Sequence, residues 1–362
     1  MKKRVLIISP KELCVGGVSK VIMTLLQELH KEYSFDLVAL SSKTGYYDDV
    51  FSAYGGRIYR IPALQYPEHK ILHFLSFFQI QSAMRKILKE NQYDVIHSHS
   101  GCQDAACHMA ADCVGVPVRI SHGHGTYVWN GRNLIMRSYF WFTKRVIRKY
   151  ATARLACSAV AGDTLFLGNT YINILNPVDI SHYANIERIP HEGINILQIG
   201  YFCDNKNQKF SIELINFLRN HGAKIHLSFI GYPSEQNYYS EMLSLIARYH
   251  LEQQITFLPH DFDKRLAFAQ TDYCILPSES EGLPLAALES QAAGIPCLMS
   301  DHISTESDMG AGYFLPYNDL EKWATAIING VNVDAQKLAH NLQTISTHAY
   351  ADKIRQVYEQ NL

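Results

Sequence analysis

Short runs of consecutive apolar residues alternate along the chain with longer stretches whose apolar positions recur every three or four residues. The first pattern is that of a strand buried on both faces, the second that of an amphipathic helix. In the first half the runs predict strands at 4–9, 35–40, 94–97, 116–121 and 153–156, with helical patterns between them such as 18–31. The series starts again in the second half, at 194–199, 225–230, 255–258, 273–276 and 296–299. Strands that alternate with helices imply βαβ units and parallel sheets. Between the halves, ILNPVDISHYANIERIPHEG carries two prolines and no period, which predicts a linker at 177–193. The expectation is two doubly wound α/β domains, 1–176 and 194–345, each placing ligands at the carboxyl ends of its strands.

At 362 residues the chain suits two domains. Its 47% hydrophobic and 19% charged residues are ordinary for a soluble globular protein. No apolar run reaches the length of a membrane-spanning helix. MKKRVLIISP reads as a first strand and not a leader, because Pro10 ends a short apolar run without a small-residue cleavage site. The eight cysteines show no CxxC spacing, which points to reduced thiols in a cytoplasmic protein, with Cys102, Cys107 and Cys113 expected in the core.

Charge changes this picture. Residues 1–176 carry 21 Lys and Arg against 12 Asp and Glu, whereas 177–362 carry 12 against 22. A first half at +9 is either a solvated basic face or a surface that meets an anionic partner. The stretch RSYFWFTKRVIRKY (137–150) sharpens the second alternative, since it interleaves aromatics with Lys144, Arg145, Arg148 and Lys149. As a helix it could rest on anionic headgroups at the inner face of a membrane. HFLSFFQIQSAMRKILK (73–89) has a similar composition.

The candidate chemistry centres on SESEGLPLAALESQAAGIPCL (278–298), where Glu281 and Glu289 stand in an otherwise apolar segment. Pro284 suits a first helical turn, so backbone N–H groups at Gly282, Leu283 and Leu285 would form a phosphate site, with Glu289 a turn further on to accept hydrogen bonds from vicinal hydroxyls. The spacing alone equally fits a solvated loop glutamate and an outward helix glutamate.

The segment resembles the E-x7-E signature of retaining GT-B glycosyltransferases of family four, and is similar to bacterial exopolysaccharide and capsule enzymes in its EGLPLAALESQAAGIPCLMSD run. GGVSKVIMTLLQEL, YDVIHSHS, VRISHGHG, ACSAVAGDTLF, ILNPVD and IGYFCDNKNQKF resemble further parts of the same family in the expected order, over roughly 5–320. The resemblance implies two Rossmann-like domains facing across a cleft, with a last helix, about 346–362, crossing back to the first. It implies a nucleotide-sugar donor, UDP-linked, and a saccharide or lipid-diphosphate-linked acceptor, with no cofactor, no metal and no nucleic-acid partner. Residue by residue, it implies Glu281 on the donor sugar, Glu289 on the ribose, Lys206 on the diphosphate and the Gly282–Leu283–Pro284 backbone around phosphate and sugar. His122 would lie beside sugar or acceptor, and Gly16 and Gly17 would let the first loop close over the phosphates. A leaving nucleoside diphosphate needs such a cation and such aimed N–H dipoles. The family's arginine after the glycine at position 200 is replaced here by Tyr201, which carries no charge; Lys209 or a cation of the first half is the expected substitute.

Three other readings remain. His97, His99, His122 and His124 form two H-x-H pairs, as in a metal-dependent hydrolase. The missing arginine would also suit a non-catalytic binding protein of the same fold, and an epimerase shares that fold. Asp261-Phe262-Asp263 mimics a metal-binding DxD but precedes a helix, where an N-cap is expected.

Overall fold

The computed structural model describes residues 2–62, 72–125, 134–168 and 170–360, apart from the side chains of 72–74. The chain divides into two compact units, Met1–Pro177 with Thr347–Leu362, and Val178–Ser346.

In the first unit seven parallel strands, β1 (Lys3–Ser9), β2 (Tyr33–Ala39), β3 (Ile58–Arg60), β4 (Val95–Ser98), β5 (Val118–Gly123), β6 (Ala153–Ala156) and β7 (Ile172–Asn173), lie in the order β3-β2-β1-β4-β5-β6-β7. Six more parallel strands, β8 (Ile194–Ile199), β9 (Ile225–Ile230), β10 (Ile255–Leu258), β11 (Tyr273–Leu276), β12 (Cys297–Ser300) and β13 (Gly312–Leu315), form the second in the order β10-β9-β8-β11-β12-β13. Each order reverses once, between β1 and β4 and between β8 and β11. At such a switch point adjacent loops diverge and leave a crevice at the strands' carboxyl ends. Strands β3, β7 and β13 have no counterpart in the predicted set. They are short and only partly buried or exposed, so no run of apolar residues marks them.

The segment read as a linker belongs to the second unit. It holds a short helix, Ile180–Tyr183, and the Arg188 guanidinium donates to the backbone oxygens of Phe268 and Thr271 while Ile189 N–H donates to Ala269. Pro and polar residues broke the period there, yet backbone and arginine donors tie it down. The last helix, Thr347–Gln360, packs into the first unit. Its Tyr350, Ala351, Ile354, Val357 and Tyr358 recur at helical spacing and are buried against β1 and the helix Gly17–Leu29. Each large side chain so covered contributes about 1.5–3 kcal/mol, so this face anchors the helix. Cys107 is buried and Cys102 half-buried, but Cys113 is exposed, against the expectation of a core thiol.

Candidate functional site

In the second unit the sequence-predicted residues gather at the switch point. Lys206 closes a 3-10 turn, Asp204–Lys206, that follows β8, and Glu281 lies in the loop that follows the neighbouring strand β11. The two loops are stitched together: Asn205 Nδ2 donates to Ser280 O at 2.9 Å, and Glu279 N–H donates to Asn205 O at 2.9 Å. Below them, Gln198 Nε2 on β8 donates to Lys206 O at 2.8 Å and Ser211 Oγ donates back to Gln198 at 2.7 Å. Gly231, after β9, has no room for a side chain, because a Cβ there would meet Gly200 O at 2.0 Å. Thus strand order, and not sequence proximity, brings Lys206 and Glu281 into an ion pair, which Ser278 Oγ supports with a hydrogen bond of 2.9 Å to the carboxylate.

Gly282, Leu283 and Pro284 are buried, and Pro284 stands at the N-cap of the helix Leu285–Ala292, which no side chain caps. Its positive end therefore lacks a side-chain acceptor, as an anion site requires. Glu289 lies within this helix with no exposed surface. A wholly buried carboxylate must be compensated, and Lys264 supplies the charge: its Nζ stands 2.5 Å from Glu289 Oε2. Tyr183 also hydrogen-bonds Glu289, and burial raises that phenol's pKa. Sequence reasoning placed neither Lys264 nor Tyr183 in the site. The only signal was that an internal Glu on an apolar helix needs a cation somewhere. Asp263 N-caps the helix that begins at Lys264, accepting from Arg265 N–H at 2.8 Å, and so aims that lysine.

Tyr201 packs its ring against Tyr232 at 4.8 Å. Lys209, the expected substitute for the missing arginine, turns instead to Glu241 at 2.8 Å and Asp204 at 3.3 Å. A half-buried lysine between two carboxylates is held by them, and its pKa rises accordingly.

In the first unit the strand ends carry imidazoles. His97 and His122 lie near the ends of β4 and β5, and His99 and His124 are the residues just beyond those strands. His97 Nε2 lies 3.2 Å from His122 Nδ1, and His99 Nδ1 lies 2.8 Å from His124 Nε2. Below them Asp104 accepts hydrogen bonds from Ser98 on β4 and Ser121 on β5, and from Ser100 N–H at 2.8 Å, which locks the two strand ends in register. Burial pushes Asp104 up to about 7. Burial likewise lowers the histidines, His97 to about 3 and His124 to about 4, with His99 and His122 well below the usual imidazole value, so all four are neutral at pH 7. Nitrogens of His97, His99 and His122 lie within 4.8 Å of one another, the spacing a metal ion would need. Both nitrogens of His97 are engaged, however, one by His122 and the other by the Tyr358 hydroxyl at 2.9 Å. Gly16 and Gly17, at the start of the helix Gly17–Leu29 after β1, also belong to this unit, and no side chain caps that helix either.

On the helix Leu134–Tyr150, Arg145, Arg148 and Lys149 are exposed and Lys144 half-buried. Trp141 and Phe142 face outward beside them, with the Arg145 guanidinium 4.1 Å above the Trp141 ring. Leu75 and Phe78 of the helix Leu72–Glu90 are exposed too. Among the described residues no helix is long and apolar enough to cross a membrane.

Comparison with known proteins finds one family model on each part of the chain. The Glycosyltransferase Family 4 model matches residues 15–167, and that for Glycosyl transferases group 1 matches 179–358. EpsF of Bacillus subtilis (strain 168) is 26% identical, with 92% of this chain and 90% of EpsF covered. The Escherichia coli UDP-Gal:alpha-D-GlcNAc-diphosphoundecaprenol alpha-1,3-galactosyltransferase is 22% identical, covering 87% of this chain and 84% of its own. Among solved structures, Anabaena Alr3699/HepE in complex with UDP and glucose superposes with a TM-score of 0.80 at 14% identity, over 99% of this chain and all of the other. With two parallel-sheet units, a glycosyltransferase model on each and this fold, the chain belongs to the group 1 glycosyltransferases of the GT-B class.

Proposed function

We propose that the protein moves a sugar, with retention of configuration, from a UDP-linked donor to a lipid-diphosphate-linked saccharide of a growing surface polysaccharide. The observation that carries this reading is the paired set at the β8–β11 switch point: Lys206 with Glu281, Lys264 with Glu289, and the uncapped helix behind Gly282–Pro284. Each pair can exchange partners when the donor arrives. The diphosphate takes Lys206 and the helix N–H groups, Glu281 turns to sugar hydroxyls, and Glu289 accepts from the ribose. In the reaction the C1–O bond to the diphosphate breaks and the acceptor oxygen bonds to C1 from the same face. The acceptor's proton passes to the departing phosphate. Cation and dipoles are aimed at the charge that develops, so no divalent ion is required in this scheme. His122 stands beside sugar or acceptor. The UDP in the HepE complex, and the UDP-linked donor and diphosphoundecaprenol-linked acceptor for which the Escherichia coli galactosyltransferase is named, support the choice of partners. The exposed aromatics and cations of the helix Leu134–Tyr150 support peripheral association with the inner face of a membrane.

A thermal-shift panel of UDP, GDP, UDP-glucose and GDP-mannose tests the donor. Stabilisation by the UDP compounds alone is expected, and a response confined to GDP compounds would overturn that choice. Activity should survive EDTA; loss restored by manganese would instead assign a metal to the histidines. Binding to vesicles should need acidic phospholipid and fall with salt. It should disappear when Lys144, Arg145, Arg148 and Lys149 are reversed to Glu, since each basic group contributes about 1 kcal/mol at such a surface. Binding indifferent to lipid charge would return this helix to a solvated face.

A further inference from the structure

We infer that the helices Leu72–Glu90 and Leu134–Tyr150 form one insertion face and enter an anionic bilayer end-on, apolar N-terminal halves foremost, so that the carboxyl edge of the first sheet faces the membrane. The inference rests on the peripheral association proposed above and deepens it, since it adds a second helix and a direction of approach.

Each helix is segregated along its length as well as around its circumference. On the first, the outward residues pass from Leu75 and Phe78 to Arg85, Lys86 and Lys89. On the second they pass from Leu134, Ile135, Trp141 and Phe142 to Arg145, Arg148 and Lys149. Arg137 is the exposed cation in the apolar half, and a side chain of that length can bend back toward lipid phosphates. Glu90 is the only acidic residue in either helix. At 1.5 Å per residue, the apolar and basic groups are centred about 15 Å apart in each. A helix lying flat at an interface has apolar and basic faces that both run its whole length. Cations gathered at one end fit a helix that enters by the other and leaves its basic half at the phosphates.

The two apolar ends are joined and point the same way. The buried Phe77 ring lies 5.5 Å from Phe78 and 5.6 Å from Phe142 on the other helix. Both helices pack into one core with Ile96 of β4 and Ala156 of β6. The first stands between β3 and β4 in the chain, the second between β5 and β6. A crossover between parallel strands leaves the carboxyl end of one and returns to the amino end of the next. Both N-terminal halves therefore lie toward the carboxyl edge, where His97, His99, His122 and His124 stand. The cations at the far ends, opposed by Glu90 alone, match an anionic phospholipid surface in charge. Approach in this direction lets a lipid-linked acceptor reach the strand ends without leaving the bilayer surface.

Tryptophan quenching by lipid reads this depth in the full-length protein, with vesicles of phosphatidylglycerol and phosphatidylcholine brominated on its acyl chains. The tryptophans are Trp129, Trp141 and Trp323, of which Trp323 is buried in the second unit. With Trp129→Phe, Trp141 should be quenched strongly relative to unbrominated vesicles. With Trp141→Phe added, Phe78→Trp should be quenched to a similar degree and Lys86→Trp severalfold less; both sites are exposed, so neither change disturbs the core. Equal quenching of the Phe78→Trp and Lys86→Trp proteins would show the helices lying flat. Quenching of Trp141 without that of Phe78→Trp would leave the helix Leu72–Glu90 out. Either result overturns the proposal. So would vesicle binding with no quenching, or a dimer in solution that Phe78→Ser and Trp141→Ser dissociate, which would give this face to a second copy. Failure to bind vesicles would overturn the inference together with peripheral association. It would leave the response to UDP compounds untouched, so the donor reading fails separately.

Discussion

The two units share one construction and hold opposite chemistry at the same place in it. Each is a parallel sheet with a single switch point. At the first, strand ends present imidazoles that burial keeps neutral; at the second, they present carboxylates that burial forces into pairs with lysines. The difference follows from the options open to each group. A desolvated imidazole escapes its charge by losing a proton, with only a modest cost near neutral pH. A desolvated carboxylate needs a cation, as Glu289 has, or hydrogen-bond donors and a raised pKa, as Asp104 has. The first unit can therefore offer uncharged donors and acceptors, as recognition of hydroxyls requires. The second holds its charges in pairs that an incoming anion can rearrange.

The largest effect that would sharpen this contrast is acid sensitivity. In the first unit His97, His99, His108, His122 and His124 all have lowered values in the fold, His108 about 3. Their contribution is complete above the unfolded value near 6.5. It is lost as pH falls toward the folded values, by about 1.4 kcal/mol per pH unit for each. Asp104, raised to about 7, binds its proton first in the fold and offsets one of the five. Amide hydrogen exchange between pH 7 and 5, corrected for intrinsic rates, should show β4 and β5 losing more protection than β8 and β11. Equal losses would break the comparison.

Next comes Lys264→Ala. It leaves the fully buried Glu289 without its cation and should cost about 3–5 kcal/mol in denaturant unfolding. Glu289→Gln should cost less, because Lys264 is 26% exposed and can reach water. The reverse ranking would mean that Glu289 is neutral in the fold. For Lys206→Ala, steady-state transfer should fall by about 10²-fold or more if it faces the diphosphate; a near-normal rate would move the phosphates elsewhere. The smallest effect divides the two glutamates. Titration calorimetry with UDP should show Glu289→Gln weakening binding by about tenfold, the value of one charge-assisted hydrogen bond, while Glu281→Gln changes turnover and leaves UDP affinity nearly intact. Equal losses of UDP affinity in both would show that the carboxylates do not share out sugar and ribose.

Much of the frame was legible in the chain. Ten of the thirteen strands coincide within a residue or two with apolar runs, because a strand buried on both faces must be apolar throughout. Glu281, Glu289 and Lys206 stood out through motif and context, since a carboxylate in an apolar segment calls for a reason. Their partners did not. Lys264 is one lysine among many, 25 positions from Glu289, and nothing local marks it. Tyr358 is 261 positions from His97, in a helix whose period announces burial but not what its hydroxyl will meet. The expected Lys209 lost to local geometry, for Asp204 and Glu241 hold it.

By itself, then, the sequence determined the periodicities, the two parallel-sheet units, the charge asymmetry and the residue types at each strand end, because these depend on composition and local spacing. Only the tertiary structure decided which charges neutralise one another and which histidines lose their protons. Those outcomes depend on desolvation and on distances of about 3 Å between residues far apart in the chain, and strand order creates both.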